Sequence, residues 1–353
     1  MTWADSLGNM RVLDKWREEV GLVYESETPK GFPAVTVGGE PLAPRSNQLM
    51  KYGRLEGLDK QISRLVMGCD NQRTLSHSAI LFDDFFQRGG NAFDTAWIYG
   101  GGLQEKLLGQ WITLRGVRDQ VVVIAKGAHS PLCTPRDLTR QLHESLDRLA
   151  TDHADIYIMH RDNPEIPVGE FIDLLNEHRS AGRFSIFGAS NWTIARFDEA
   201  NAWAKRNGKQ GFSLLNNQLS LARMMDPIWP GALSAGDPQS LAWLTRTKTP
   251  LLAWSSQARG FFLPERAAPE KLDDPEIVRC WYSPDNFKRL NRANELAAQL
   301  GVPAINIALA WVLHQPFPTF ALIGPRALEE TRVSVGAAAI RLEPDKAGWL
   351  DLR

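Results

Sequence analysis

From about Ile62 onward the chain repeats one unit, a short apolar run followed by a longer segment of helical spacing, and nothing else restricts its fold so strongly. Eight such runs can be read: "SRLVMG", "NAFDTA", "VVVIAKG", "ADIYIMH", "FSIFGAS", "SLLNNQ", "PLLAWSS" and "FALIGPR". They are terse and largely apolar, as parallel strands covered on both faces should be. The intervening segments carry helix punctuation. In "TPRDLTRQLHESLDRLA", Thr134 is placed as N-cap and Pro135 opens the first turn, and "VGEFIDLLNEHRSAG" is closed by Gly182. Eight βα repeats predict a (β/α)8 barrel, the TIM-barrel architecture. A doubly wound sheet is the rival, but no GxGxxG follows the first strand, and polar residues recur at the C-terminal end of almost every strand.

Two regions fall outside the repeat. Residues 1–48 combine a helical patch, "RVLDKWREEVGL", with a Pro/Gly/Ser-rich linker, "TPKGFPAVTVGGEPLAPRSN", and read as an arm appended to a barrel spanning 49–353. After the sixth strand, "SLARMMDPIWPGALSAGDP" has the composition of a long loop over a barrel mouth.

Composition narrows the classes of function. An apolar fraction of 43% suffices for a large core, and 40 basic against 41 acidic residues leave no charged track for nucleic acid or an anionic membrane. Cys69, Cys133 and Cys280 are far apart, without zinc-ligand spacing, and read as reduced thiols; no metal is expected. The N-terminus lacks the apolar core of a signal peptide, and no run approaches the roughly 20 apolar residues of a membrane span. A cytoplasmic protein with a small-molecule partner is the expectation.

Taken singly, each polar strand-end residue has an ordinary structural explanation: Asp94 caps a turn, Lys126 pairs with it, His160 is a satisfied core histidine. The set says more. Asp94, Tyr99, Lys126 and His160 end the second, third and fourth strands, and adjacent strands bring them together. A buried lysine needs a counter-ion, which Asp94 can supply, and a lysine near a phenol is expected to lower the tyrosine's pKa from about 10.

In these residues the chain resembles the aldo-keto reductase superfamily, whose barrels reduce carbonyls with a nicotinamide cofactor and no metal. "FDTAWIYG" is similar to that family's Asp and Tyr signature, "VVVIAKG" to its lysine strand, "DHADIYIMHRDNP" to its histidine strand and "FGASNWT" to its Ser-Asn motif, in that order. The resemblance implies an NADPH-dependent reductase of aldehydes or ketones. Tyr99 would be the general acid, Lys126 would polarise it, Asp94 would hold the lysine and a neutral His160 would orient the carbonyl.

It further implies that Ser190, Asn191 and Gln218 hold the nicotinamide carboxamide and that Trp254 stacks on the ring. Ser255, Gln257 and Arg259 would pass beside the pyrophosphate, Gly324 would allow close approach, and Arg326 would meet a 2'-phosphate. The asparagine that the family often uses at the adenine would here be Ser334, or be displaced along the chain, and the adenine contacts are left open. Trp97, Trp192 and Trp229 are expected to line the substrate pocket, and a chain that ends at Arg353 implies an open mouth taking broad or small substrates. Two alternatives stand beside the reductase: a Schiff-base aldolase using Lys126, and a non-enzymatic nicotinamide-binding barrel subunit. The oligomeric state is left open.

Overall fold

A computed structural model describes residues 2–24 and 41–353. The linker expected over residues 28–47 therefore lies partly outside the described residues. In chain order, a first helix α1 (Trp3–Glu19) precedes a small antiparallel hairpin, β1 (Tyr52–Gly53) and β2 (Ile62–Ser63). Eight further strands follow: β3 (Leu65–Gly68), β4 (Ala92–Asp94), β5 (Val122–Gly127), β6 (Ala154–Met159), β7 (Phe184–Ser190), β8 (Leu215–Asn216), β9 (Leu251–Ala253) and β10 (Thr319–Ile323). Each pairs in parallel with its neighbour, and β10 returns to β3 to close a (β/α)8 barrel. The sheathing helices are α2 (Leu75–Gln87), α3 (Leu103–Arg115), α4 (Pro135–Leu149), α5 (Val168–Ser180), α6 (Ile194–Arg206) and α7 (Pro238–Thr247). Then come α8 (Pro275–Trp281), α9 (Pro284–Leu300), α10 (Ala304–Leu313), α11 (Leu328–Gly336) and α12 (Pro344–Leu350).

The helix signals act where the sequence places them. Thr134 caps α4 by accepting from the Asp137 backbone N–H, with Pro135 in the first turn. Gly182, at φ 74°, takes the left-handed turn just beyond α5. The hairpin ahead of β3 has no counterpart in the expected repeat. Its Leu55, Leu58 and Ile62 join the inner core, and a Cβ on Gly57 would sit 2.8 Å from Ile186, so the hairpin plugs the barrel floor.

Strand alternation divides the interior in two. Val66, Ala92, Val122, Ile124, Ile156, Ile158, Ile186, Leu214, Leu252 and Phe320 fill the barrel, whereas Val123, Ala125, Tyr157, Phe187 and Leu215 face the helices. Every inward residue has an even number. The last inward positions at the open end are therefore Gly68, Asp94, Lys126, His160, Ser190, Asn216, Trp254 and Gly324. A filled interior pushes any chemistry up to this rim.

The arm divides differently from its composition. Helix α1 buries none of its residues, although Thr2 and Asp5 form a full capping box. Leu42 and Met50, by contrast, are buried in the outer core, and the Arg45 backbone and side chain both bond Gln87 at the end of α2. Among the described residues no single helix is long and apolar enough to cross a membrane.

Candidate active site

The rim of the barrel encloses a cavity of about 1260 Å³. That exceeds the usual range for one drug-sized ligand and leaves room for a dinucleotide beside a small substrate. On one side of it, Lys126 Nζ donates to Asp94 Oδ2, and both side chains are almost fully buried. Burial raises the Asp94 pKa, and the Lys126 charge opposes that rise. Tyr99 lies above this pair, its ring centroid 5.2 Å from Lys126 Nζ and edge-on to His160 at 5.8 Å. His160 in turn meets His129 at 4.9 Å.

The electrostatics correct one expectation. The Tyr99 phenol is pushed well above its ordinary pKa, first by burial and then by the Asp94 and Asp70 carboxylates, with Arg161 opposing. The Lys126 cation, paired with Asp94, does not outweigh burial and the two carboxylates, so the expected net lowering of the phenol is absent. His160 is held well below its ordinary value by burial, with Lys126, His129 and Arg161 adding repulsion, so it is a neutral imidazole at pH 7.

The other side of the cavity is built from β7 to β10. Ser190 Oγ donates to the Asn216 carbonyl at 2.8 Å, and Asn191 Nδ2 donates to Ser190 Oγ at 2.9 Å. Asn191 has φ 57°, a left-handed turn that asparagine tolerates, and its Oδ1 accepts from the Leu233 N–H, which ties the long loop to the rim. Trp254 lines the cavity and Trp229 leans over it, ring centroids 5.9 Å apart. Ser255, Gln257, Arg259, Gly324 and Arg326 also line it. Arg259 is paired with Glu276 at 2.9 Å, and Gln257 Nε2 reaches Ser334 Oγ at 3.3 Å. Arg326 is exposed, and its Nε meets Asn71 Oδ1 at 3.3 Å.

Three expected residues are elsewhere. Gln218 lies beyond the short strand β8 and does not line the cavity; it donates to Ser220 Oγ and accepts from Ser234 Oγ, holding the long loop's base. Asn216 occupies the rim in its place, as the parity of Leu214 and Asn216 would have indicated. Trp97 points out to α4, donating to Glu144 at 2.6 Å beneath the Arg140 and Arg148 guanidiniums. Trp192 is fully buried against Phe171 and Phe212, because the turn at Asn191 sends the chain outward after β7. Sequence reasoning also missed His129, Ser130 and Arg161, which line the cavity on the Tyr99 side. Arg161 stood in the quoted "IMHRDNP", next to His160.

The residues present suit a nicotinamide dinucleotide. Asn216 gives its Nδ2 to the Leu252 carbonyl, which leaves its Oδ1 without a partner among the described residues, available to a carboxamide. Ser255, Ala258, Arg259 and Gly260 all have left-handed φ within six residues, tight turning of the kind that gathers backbone N–H groups around an anion.

A profile of the aldo/keto reductase family matches residues 68–351. The uncharacterized oxidoreductase YrpG of Bacillus subtilis is 28% identical over 317 residues, covering 84% of this chain and 93% of that protein. An aryl-alcohol dehydrogenase [NADP(+)] of Phanerodontia chrysosporium is 24% identical over 77% of this chain and 74% of its own length. Norsolorinic acid reductase A of Aspergillus parasiticus is 25% identical over 88% of this chain and 83% of its own. Among solved structures, the thermostable aldo-keto reductase Tm1743, crystallised with the inhibitor epalrestat, superposes with a TM-score of 0.65 at 23% identity, over 86% of this chain and 99% of that one. At that identity the likeness is one of fold.

Proposed function

The chain belongs to the aldo/keto reductase family, and from that premise we propose that it reduces aldehydes or ketones to alcohols with NADPH, Tyr99 serving as general acid. The observation that carries this reading is the buried Lys126–Asp94 pair set under Tyr99 and beside a neutral His160 at the cavity floor. When bound, the reduced nicotinamide supplies the hydride that reaches the carbonyl carbon. Tyr99 gives its phenolic proton to the carbonyl oxygen as negative charge develops there, and the O–H bond breaks as the alcohol O–H forms. Because burial weakens Tyr99 as an acid, the proton stays on the phenol at neutral pH and moves only to the far more basic alkoxide. The phenolate left behind lies beside the Lys126 cation, which stabilises it. His160 orients the carbonyl oxygen by a hydrogen bond that a neutral ring can make.

Ser190, Asn191 and Asn216 would hold the carboxamide, Trp254 would cover the nicotinamide ring and the Ser255–Gly260 turn would take the pyrophosphate. Arg326 supports NADPH over NADH, since its guanidinium is the exposed cation at the far end of the cavity. Glu329 and Glu330 line the same end, and Glu330 accepts from the Arg326 backbone N–H at 2.6 Å.

Following NADPH absorbance over aromatic aldehydes, short aldehydes, dicarbonyls and keto-sugars tests the reading. Oxidation of NADPH with at least one class is expected. Binding of NADPH without turnover on any of them would favour a non-enzymatic subunit. Trapping of Lys126 by borohydride with a carbonyl donor would favour the aldolase, which the commitment of Lys126 Nζ to Asp94 argues against.

A further inference from the structure

Arg161 ends the same strand as His160 and has no role in the chemistry above. It lines the cavity, yet the residue is only 9% exposed. Its Nη1 donates to the His160 carbonyl at 3.1 Å, and among the described residues no carboxylate lies within 4.0 Å of it. The other largely buried arginines of this chain engage more of their donors: Arg64, also without an acid among the described residues, gives Nε and Nη2 to the Thr319 and Leu313 carbonyls, and the rest are paired with carboxylates. Arg118 meets Asp155 at 2.9 Å, Arg148 meets Glu105 at 3.0 Å, and Arg223 is paired with Asp351. Even the neighbouring Asp162 is engaged, by Arg196 at 3.1 Å.

A desolvated cation without a partner is costly, and burial lowers the Arg161 pKa. A guanidinium has five N–H donors, and here one is used by protein. Gly231 of the long loop passes over it: a Cβ added there would lie 3.9 Å from Arg161 Nε. The site is thus enclosed by backbone rather than by an acid.

We infer that Arg161 receives a carboxylate carried by the substrate, so that the protein selects carbonyl compounds bearing an acid group over neutral ones. The inference rests on the carbonyl-reducing reading and specifies its substrate class. The planar fork of a guanidinium matches a carboxylate in two-pronged fashion. A phosphate, with more charge, would call for further cations; but Lys126 is committed to Asp94, and burial lowers the pKa of His129, which keeps it neutral.

The test compares kcat/KM for 4-carboxybenzaldehyde with benzaldehyde, and for succinic semialdehyde with butanal, at saturating NADPH. The acids are expected to be favoured by about ten- to a hundredfold, the strength of hydrogen bonds to a charged group. In Arg161→Gln the ratio should collapse toward one; in Arg161→Lys, which keeps the charge and loses the fork, part of it should remain. Calorimetric binding of benzoate against benzamide to the NADP+-loaded protein gives the same comparison without turnover. A native ratio near one, a ratio unchanged in Arg161→Gln, or a preference for 4-formylphenyl phosphate over the carboxylate overturns the inference. Equal losses on acid and neutral substrates also overturn it, since Arg161 would then act only on Tyr99. Failure to reduce any carbonyl instead sinks the reductase reading, and the benzoate comparison then decides Arg161 alone.

Discussion

The two sides of the cavity are built by different means. Asp94, Lys126 and His160 are last inward residues of consecutive strands, locked by the hydrogen-bonded register of β4, β5 and β6. The far end is made of loop: Ser255, Gln257 and Arg259 follow β9, Arg326 follows β10, and much of that surface is open to solvent. Proton transfer tolerates little displacement, whereas grip on a long cofactor can be spread over many weak contacts. The strand side should therefore fail abruptly when altered, and the loop side by degrees.

Tyr99→Phe is the largest expected break. The ring can still fill its place beside His160, but the proton donor is gone, so kcat should fall by about a hundred- to ten-thousandfold with NADPH affinity nearly unchanged. Stopped-flow turnover with parallel fluorescence titration of NADPH checks both halves. Near-native kcat would remove Tyr99 from the acid role. Lys126→Met should be as inactive and less stable as well, since Asp94 is left as a buried, unpaired carboxylate.

The same contrast governs what could be read from sequence. Strand-end residues were legible because the side-chain period of two is strict: once Val122 and Ile124 face inward, Lys126 must, and the same count leads from Ile156 and Ile158 to His160. Gln218 keeps the sheet register, bridging Trp254 beside it, but its amide is spent on Ser220 and Ser234 at the base of the long loop instead of the cavity, a pairing no strand period reveals. The tryptophans failed for another reason. An aromatic residue just past a strand can turn either into the mouth or back onto the helices, and no local pattern tells Trp229 over the cavity from Trp192 in the core. Arg161 escaped notice because it is adjacent to His160 in sequence, where inward alternation would not place it; its approach to the cavity is a property of the loop.

On the loop side, Arg326→Ala should weaken NADPH by about ten- to a hundredfold and leave NADH nearly unaffected. Only the 2'-phosphate distinguishes the two cofactors, and Arg326 is held near Glu329 and Glu330, which would repel that phosphate if left alone. Titrating both cofactors against native protein and variant decides it: equal losses, or none, would mean that Arg326 does not read the phosphate. A graded loss with kcat retained would match the contrast between the two sides.

A smaller effect comes from pH. His160 is neutral in the folded protein far below its ordinary pKa of about 6.5, whereas the unfolded chain takes up that proton near 6.5. The unfolded state then binds more protons, so stability falls as pH drops below about 6.5, by at most roughly 1.4 kcal/mol per pH unit from this group. His129 and His178, also lowered by burial, act in the same direction. Urea unfolding at pH 7 and pH 5.5 should show a smaller loss in His160→Asn than in native protein. An identical loss in both would mean that His160 titrates normally.

The smallest effect is expected outside the barrel, and it redraws the boundary of the arm. Composition divides the chain near residue 48, but burial divides it earlier, because Leu42 and Met50 are core residues and Arg45 is tied to Gln87 and lies 3.8 Å from Asp84. Helix α1, with Trp3 89% exposed and no residue buried, contributes nothing to either side of the cavity. Removing residues 1–24 should then leave kcat, KM and the unfolding midpoint within error of the native values. Leu42→Ala in the full chain is the counterpart: it should cost about 2 to 5 kcal/mol of stability, as buried leucines do, with kcat unchanged at a temperature where the variant is folded. A fall in turnover on losing α1 would place that helix in the working structure, and a silent Leu42→Ala would return the boundary to residue 48.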